Sequence, residues 1–397
     1  MQPLLLRRSF APLAAAAAAA ARPLAASARR PLSSSALLHL RGRPPSVDAD
    51  AGTFAAFYYK HIREFETPTK DLLVATGQEE RFTVGAFDRQ VYAYALGLLD
   101  GLGVRRGSAV ALWMTDELEH LVVRYAAALV GATAVEIDPR LGSDAVLAIL
   151  KEHECRVLFA SPRFGGQDRL AELGRVFAAE LAPAVAEGGA PPLQSKRLRS
   201  LKHLVCASAE FEEGVVRLKD LPVFGADGAY DQDDVAAAQS YLAKSDTLVV
   251  SYAPAPGGGF ARGGSATHAQ LLASAAGAAK ALALSAADVL VTTAPLHAEL
   301  GLAAGPLAAA AAGAKLVLPG KTFDAARTLA AASLQRATAL VTVPEHVAPL
   351  AAELARDEQR PAAQRQYALG TLRAGVVLGS AQAAALGKLK LAGAKSF

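Results

Sequence analysis

A glycine-rich segment, followed by an arginine and a threonine, contains the residues of this chain best suited to binding a phosphate. Consecutive glycine N–H groups can form a concave nest around phosphate oxygens, and a nearby cation or hydroxyl strengthens the binding. The candidate phosphate-binding residues are Gly257, Gly258, Gly259, Arg262 and Thr267. The G-K-[ST] ending of a P-loop is missing, so the pattern alone is a weak signal.

The same segment is poor in the side chains that stabilise a reacting phosphate. From Ala253 to Gly264 there is no Ser, Thr or Lys, and Arg262 is the one charged residue. Pro254 and Pro256 each remove a backbone donor. The sequence also contains no recognisable Ser-His-Asp elbow, paired-carboxylate motif or metal-ligand spacing. We therefore predict no catalytic residue and no metal site.

Alternating strand and helix patterns must position these residues. Apolar runs predict strands at Ala109–Trp113, Ala132–Ile137, Arg156–Ala160, Leu201–Ala207, Thr247–Tyr252, Val289–Thr293, Lys315–Leu318, Ala339–Val343 and Ala374–Leu378. Helical spacing predicts helices at Phe87–Leu102, Glu117–Leu129, Ser143–Glu154, Thr267–Leu284, Leu300–Ala312, Ala325–Arg336 and Val347–Ala355. This rhythm predicts an α/β fold of stacked βαβ subdomains, with mainly parallel sheets flanked by helices. Ligands of such folds bind at the carboxyl edge of the strands.

Several strings within this pattern occur in the order and spacing of one enzyme superfamily. They are Arg81-Phe82-Thr83, the segments 102–111, 126–139 and 288–301, and the segment 372–380. Together they resemble the adenylate-forming, AMP-binding superfamily of acyl-CoA synthetases, from about Phe82 to Ser380. The resemblance implies an N-terminal domain with a first α/β subdomain at 50–245 and a second at 246–397. It also implies that the sequence stops before the superfamily's C-terminal lid domain.

The resemblance gives the glycine-rich segment a role and exposes a departure from the family pattern. The superfamily carries Y-T-S-G-T-T-G-x-P-K-G followed by T-H, and these hydroxyls, N–H groups and lysine bind the phosphates of ATP. Here Tyr252, Thr267 and His268 keep the frame, but from Ala253 to Gly264 the family's hydroxyls and lysine are missing. We therefore predict a degenerate phosphate loop. The sequence also reaches Phe397 without the superfamily's Y-G-x-T-E string or its catalytic lysine.

One histidine matches a second position of the superfamily. In the string Pro295-Leu296-His297, the resemblance implies that the histidine lies near the acyl pocket, which makes His297 a candidate substrate-binding residue. A histidine packed at the end of a strand is an equally weighted alternative. The sequence does not choose between the two.

The first 47 residues differ in composition from the rest. They contain seven arginines, an alanine run and a serine cluster, and no Asp or Glu, which is typical of an organelle transit peptide. We predict a mitochondrial leader at 1–45, with a chloroplast leader as the alternative. Without those arginines the chain has 34 basic and 37 acidic residues, so its charge gives no indication of nucleic-acid binding. The basic run from Lys196 to Lys202 is interpreted as a solvated loop, and no transmembrane segment is predicted.

Three functional hypotheses remain. The first is a degenerate relative that keeps the fold and serves as a structural or binding subunit of a mitochondrial complex, in the matrix or on the matrix side of the inner membrane. The second is an active acyl-activating ligase represented by an incomplete chain, which would use ATP, Mg²⁺ and CoA. The third keeps a residual acyl or nucleotide site for sensing or carriage.

Overall fold

The computed structural model describes residues 52–63, 67–178, 192–208, 210, 214–226, 232–378 and 394–396. The predicted leader at 1–45 lies outside these residues. The strands are β1 (Asp71–Ala75), β2 (Glu80–Thr83), β3 (Ala109–Trp113), β4 (Thr133–Ile137), β5 (Val157–Ala160), β6 (Arg163–Phe164), β7 (Gln167–Asp168), β8 (His203–Cys206), β9 (Val215–Arg217), β10 (Thr247–Pro254), β11 (Phe260–Thr267), β12 (Val289–Thr292), β13 (Lys315–Leu318), β14 (Ala339–Thr342), β15 (Ala374–Val377) and β16 (Ala394–Ser396).

Helices cover and connect these strands. They are α1 (Phe54–Tyr58), α2 (Val84–Asp100), α3 (Leu118–Leu129), α4 (Ser143–Glu152), α5 (Arg169–Val176), α6 (Leu221–Ala226), α7 (Gln232–Ser240), α8 (His268–Ala281), α9 (Glu299–Leu302), α10 (Ala308–Ala312), α11 (Ala325–Leu334) and α12 (Pro344–Glu358). Short π-helical segments follow α1 and α9, the second of them containing Pro306. Among the described residues, no helix combines the length and the apolar character needed to cross a bilayer.

Within the described residues, the strands form two seven-stranded sheets and the small β6–β7 hairpin. Sheet one has the order β16-β15-β14-β12-β13-β1-β2, and sheet two has the order β11-β10-β4-β3-β5-β8-β9. Within both sheets, neighbouring strands are parallel except in the pairs β1–β2 and β10–β11. The predicted α/β class with mainly parallel, helix-flanked sheets is confirmed. Each sheet takes strands from both sides of residue 245, and the predicted subdomain division there stays a prediction.

Two positions in and before helix α2 explain local features of the sequence. The Thr83 hydroxyl caps the helix by accepting a hydrogen bond of 3.2 Å from the Ala86 N–H, which accounts for the threonine of the Phe82-Thr83 string. Gly97 lies where α2 packs against α6, because a Cβ atom there would lie 2.2 Å from the Leu221 carbonyl oxygen. The close approach of these helices therefore depends on a residue without a side chain.

The glycine-rich segment differs from its expected form. The sequence predicts a strand that ends at Tyr252 and a loop beyond it, whereas β10 continues to Pro254 and the chain returns as β11. Pairing with β10 overrides the low β-propensity of Gly263 and Gly264. The register shifts after Val250, where the Ser251 hydroxyl accepts a hydrogen bond of 2.8 Å from the Gly264 N–H.

A buried carboxylate joins the amino ends of three strands in sheet one. Asp288 accepts hydrogen bonds from the Thr338 hydroxyl at 2.7 Å and the Ser285 N–H at 2.8 Å, and it forms an ion pair of 2.8 Å with Arg373. Burial alone would raise the pKa of Asp288, but hydrogen bonds from Thr338, Arg373 and Ser285 lower it to about 2. Asp288 and Arg373 belong to two separate strings of the family resemblance, and the fold brings them together in one structural contact.

We expect Asp288→Ala to lower the free energy of unfolding at neutral pH by about 1–3 kcal/mol, because it leaves buried partners without an acceptor. The native pKa is depressed from 3.8 to about 2, so this stabilisation is present above the ordinary pKa and is lost as the pH falls towards 2. Urea denaturation of both proteins across this range measures the difference.

The exposed acid Asp144 provides the control, because Asp144→Ala removes a carboxylate in the first turn of α4 without burying an unpaired group. Its effect should stay below about 0.5 kcal/mol, apart from a small contribution of the helix dipole. A difference between wild type and Asp288→Ala that does not shrink on acidification would contradict the proposed ion pair.

Candidate functional site

The predicted phosphate-binding glycines form the tip of the β10–β11 hairpin. Gly258 and Gly259 have φ values of +93° and +75°, which residues with a side chain rarely adopt. The Gly258 N–H donates to the Ala255 carbonyl at 3.0 Å, and the Ala255 N–H donates to the Gly259 carbonyl at 3.2 Å. The turn therefore uses the Gly258 N–H internally, and that donor does not point into an anion-binding nest.

The other two predicted phosphate contacts lie on β11. Arg262 is exposed and is paired in register with Tyr252. Thr267 caps α8, since its hydroxyl accepts from the Gln270 N–H at 3.3 Å and its own N–H donates to Gln270 Oε1 at 2.9 Å. The hairpin brings Gly257, Gly258, Gly259, Arg262 and Thr267 into one element, but the described contacts of Thr267 are structural.

The histidine that follows Thr267 is also a structural residue. His268 is buried, and its Nδ1 accepts a hydrogen bond of 2.9 Å from the Phe54 N–H at the start of α1. Burial lowers the pKa of His268 to about 4, so the ring is neutral at physiological pH. The threonine–histidine pair of the family frame thus serves helix capping and helix packing here.

A carboxylate, rather than a cation, lies against the hairpin. A Cβ atom on Gly264 would lie 2.0 Å from Glu299 Oε2, so the Glu299 side chain occupies the space beside this backbone. Burial raises the pKa of Glu299. In its ionised form, this carboxyl group repels a neighbouring triphosphate.

Tyr252 joins the end of β10 to the end of helix α4 and to β4. Its hydroxyl donates to Glu152 Oε1 at 2.6 Å and lies 2.7 Å from His153 Nε2. Its carbonyl accepts a hydrogen bond of 3.0 Å from the Asp138 N–H, at the carboxyl end of β4. The tyrosine that begins the family frame is therefore held by side-chain and backbone contacts.

His297 lies beside Asp138, with Nε2 3.3 Å from Asp138 Oδ2. Arg140 also holds this carboxylate, donating from Nη2 at 2.6 Å and from Nε at 3.0 Å. Burial alone would raise the pKa of Asp138, but hydrogen bonds from His297 and Arg140 hold it well below its ordinary value. The His297 side chain is 12% exposed, and its predicted role in an acyl pocket stays a prediction.

A second polar cluster at this edge was not predicted from the sequence. Glu117, fully buried after β3, accepts a hydrogen bond of 2.7 Å from Lys321 in the loop after β13. It also accepts one from the Ser161 hydroxyl, and that oxygen in turn accepts from the Thr115 N–H at 2.8 Å. The signal that could have revealed it is an acidic residue shortly after a buried apolar strand, where burial requires a partner.

Backbone contacts reinforce this cluster. The Asp116 N–H donates to the Lys321 carbonyl at 2.9 Å, and Asp116 Oδ1 accepts from the Leu296 N–H at 2.7 Å. Burial raises the pKa of Glu117. Burial alone would lower the pKa of Lys321, but the neighbouring Glu117 carboxylate raises it above its ordinary value. The residues after β3 thus connect sheet two to loops of sheet one.

The hairpin carries few of the groups that the family pattern uses to bind the phosphates of ATP. Separately, the described ranges contain no group of three His, Cys, Asp or Glu side chains suited to a metal ion. In the turn of the hairpin the Gly258 N–H donates to the Ala255 carbonyl, and the Glu299 carboxyl group lies beside Gly264. The described residues therefore do not fit the phosphate loop that the family pattern implies.

Fold and site together define an α/β protein with a hairpin at the edge of a parallel sheet and a polar carboxyl edge. The sequence profile of the AMP-binding enzyme family matches residues 63–389, and the chain belongs to this family. Its fold is acyl-CoA-synthetase-like, and the degeneracy of its phosphate loop stays a prediction.

Individual relatives agree with this assignment. Bacillus subtilis YngI, assigned as an acyl-CoA synthetase, is 25% identical over 313 residues, covering 79% of this chain and 54% of the relative. The bovine mitochondrial medium-chain acyl-CoA ligase ACSF2 is 23% identical over 319 residues, covering 79% and 49%. The chain thus spans about half the length of these curated relatives.

Solved structures support the fold. The anthranilate-CoA ligase AuaEII, in complex with anthranoyl-AMP, superposes with a TM-score of 0.62 at 20% identity, covering 87% of this chain and 58% of the other. A fatty acyl-CoA synthetase of Mycobacterium tuberculosis gives a TM-score of 0.63 at 19% identity, covering 88% and 59%. At these identities the likeness concerns the fold alone.

We expect Lys321→Ala to lower the free energy of unfolding by about 2–3 kcal/mol, less than for a fully buried pair because part of the lysine is solvated. The variant leaves the Glu117 carboxylate buried without its cation. Adding Glu117→Gln should recover part of the loss, because the neutral amide costs less to bury. Urea denaturation of the single and double variants measures this coupling.

Lys280→Ala, at an exposed position in the last turn of α8, is the matched control and should change stability by less than about 0.5 kcal/mol. Equal effects of Lys321→Ala in the presence and absence of Glu117→Gln would contradict a direct pairing of these side chains.

Proposed function

We propose that this chain is a catalytically degenerate member of the AMP-binding family that serves as a structural or binding subunit of a mitochondrial complex. The observation that carries the proposal is the β10–β11 hairpin, in which the expected phosphate loop is a paired strand and a tight turn. The chain covers about half of the length of its relatives, so the activity, substrates and partners of those whole proteins are not assigned to it.

The physical support is the loss of transition-state stabilisation. Acyl-adenylate formation develops negative charge on the phosphates of ATP, and enzymes stabilise such charge with preorganised donors and cations. Removing one such donor typically costs about 3 kcal/mol of barrier stabilisation. From Ala253 to Gly264 this chain lacks the family's hydroxyls and lysine, and Glu299 adds an acidic group beside Gly264. These differences all weaken binding of a triphosphate.

An active acyl-activating ligase is the second candidate. It would join ATP and a carboxylate into acyl-AMP with release of pyrophosphate, and then transfer the acyl group to CoA as a thioester. The names of the relatives, which are acyl-CoA ligases and synthetases, favour this candidate. His297 would then be the residue to test for acyl binding.

The mitochondrial setting is proposed from the leader and from relatives. The arginine-rich, acid-free start of the chain suits a matrix-targeting peptide, and ACSF2 of cattle and mouse carry the word mitochondrial in their names. We place the protein in the matrix or on the matrix side of the inner membrane, with a chloroplast address as the alternative. Partner subunits, rather than nucleic acid, are the proposed binding partners.

The purified chain without its leader should show no ATP–Mg²⁺-dependent rise in melting temperature. Ligand at 100 times its dissociation constant would stabilise a binding-competent fold by about 2.7 kcal/mol. A gain-of-function variant provides the control: residues 253–264 are replaced by the family loop, and Glu299→Gln removes the acidic group. We expect ATP-dependent stabilisation in this variant only. Stabilisation of the wild-type chain, or carboxylate-dependent pyrophosphate release, would favour the ligase.

The full chain should enter isolated energised mitochondria and become shorter and protease-resistant, because a matrix peptidase removes a leader after import. Gel mobility before and after protease treatment provides the measurement. Replacing the seven leader arginines by glutamine should abolish import. Uptake by chloroplasts but not by mitochondria would assign the leader to the other organelle.

A further inference from the structure

Basic residues collect at the amino edge of sheet two. Its central strands are parallel, so the residues that precede them lie at one edge. Backbone hydrogen bonds run along this edge: the Arg156 N–H donates to the Ala109 carbonyl at 2.8 Å, and the Lys202 N–H donates to the Arg156 carbonyl at 2.7 Å. We define the basic edge as Arg105, Arg106, Arg156, Lys196, Arg197, Arg199 and Lys202.

The loop that enters β8 has a fixed shape. Leu193, Leu198 and Leu201 are buried in the same core cluster as β5 and β8, and they anchor the loop. Between these anchors Lys196 and Arg199 are exposed. The charged run interpreted from the sequence as a solvated loop is therefore solvated, but it is held in place next to Arg156, which precedes β5.

Main-chain carbonyls position the arginines of the basic edge. The Arg156 Nε donates to the Leu102 carbonyl at 2.8 Å, just beyond the end of α2. Arg197 donates to the Val176 carbonyl at the end of α5, and Arg105 donates to the Leu99 carbonyl in α2. Helix carboxyl ends favour cations, so these contacts orient the guanidinium groups.

A buried histidine lies next to the basic edge. His203 begins β8, and its Nδ1 is buried without a hydrogen-bond partner. Burial, followed by the charges of Arg156 and Lys202, lowers its pKa to about 4. At the far end Asp246 forms an ion pair of 3.1 Å with Arg106. Arg106 is thus already paired, whereas Arg156 and Lys202 act on His203.

We propose that the basic edge binds a carboxylate-rich segment of a partner protein. Arginine forks match carboxylates in a bidentate geometry, and Arg199 is exposed on the β8 loop near the exposed Lys196. Among the described residues, the exposed large apolar side chains are Val223, Tyr241, Leu300 and Leu334, and none of them lies on the loop that enters β8. The described part of this loop thus offers bases no aromatic platform and a bilayer no apolar wedge.

Charge balance points to the same partner. Outside the leader the chain has more acidic than basic residues, so the basic edge is a local feature on a slightly acidic body. Such a body repels extended polyanions at long range, whereas a short acidic segment can meet the edge alone. The edge lies opposite the carboxyl edge that carries Asp138 and Tyr252, so this inference holds whether or not the candidate site binds nucleotide.

The test compares two triple variants of the full chain without its leader. The edge variant is Lys196→Glu, Arg199→Glu and Lys202→Glu, and the matched control is Lys60→Glu, Arg89→Glu and Lys280→Glu, which reverses three exposed charges elsewhere. Fluorescence anisotropy measures the binding of a labelled oligo-glutamate peptide at low salt and at physiological salt. At physiological salt the Debye length is about 8 Å, so charge–charge attraction is screened more strongly. Circular dichroism and melting curves verify that both variants are folded.

We expect the edge variant to weaken peptide binding about tenfold or more, and the control to change it by less than about twofold. If the edge variant destabilises the fold, the corresponding glutamine substitutions, which remove charge without reversing it, should still weaken binding several-fold. Equal binding by wild type and edge variant, or no binding by wild type, would overturn the proposal. Tighter, edge-dependent binding of phosphatidylglycerol vesicles or single-stranded DNA would overturn it in favour of a membrane or a nucleic acid.

Discussion

The pairing of β10 with β11 is the constraint on which the proposed loss of adenylation chemistry depends. A backbone N–H makes one strong hydrogen bond at a time, so donors used within a hairpin cannot also surround a phosphate. The Gly264 N–H is bound by the Ser251 hydroxyl, and the Gly258 N–H is bound within the turn. Because hydroxyls and lysine are also missing from residues 253–264, the segment keeps fewer of the groups that the family pattern uses to bind phosphate.

The rest of the fold does not need that site to be stable. Buried polar contacts tie the two sheets together at the carboxyl edge, with Glu117 held by Lys321 and Asp116 accepting from the Leu296 N–H. Asp288 and Arg373 join strands within sheet one. Such contacts resist substitution because breaking one partner leaves the other buried and unpaired. A family member can therefore keep its architecture after its phosphate chemistry has weakened.

The sequence predicted those elements whose apolar runs are bounded by clear turn signals. The strands Ala109–Trp113 and Lys315–Leu318 were predicted with their observed bounds, because both are short buried runs entered from glycine-containing turns. The second strand of the hairpin was missed, because Gly263 and Gly264 have little intrinsic β-propensity and the pairing comes from β10. The partner of Glu117 was also beyond prediction, since Lys321 is distant in the sequence and only the tertiary fold brings the two together.

Amide hydrogen exchange of the β10–β11 hairpin, with and without ATP–Mg²⁺, tests the degeneracy of the phosphate loop most directly, because it reports on the very donors in question. If those donors are committed to strand pairing, exchange at residues 254–264 should be the same in both conditions. Slower exchange confined to this segment when nucleotide is added would mean that the hairpin reorganises around a triphosphate, and it would contradict the loss of the phosphate site.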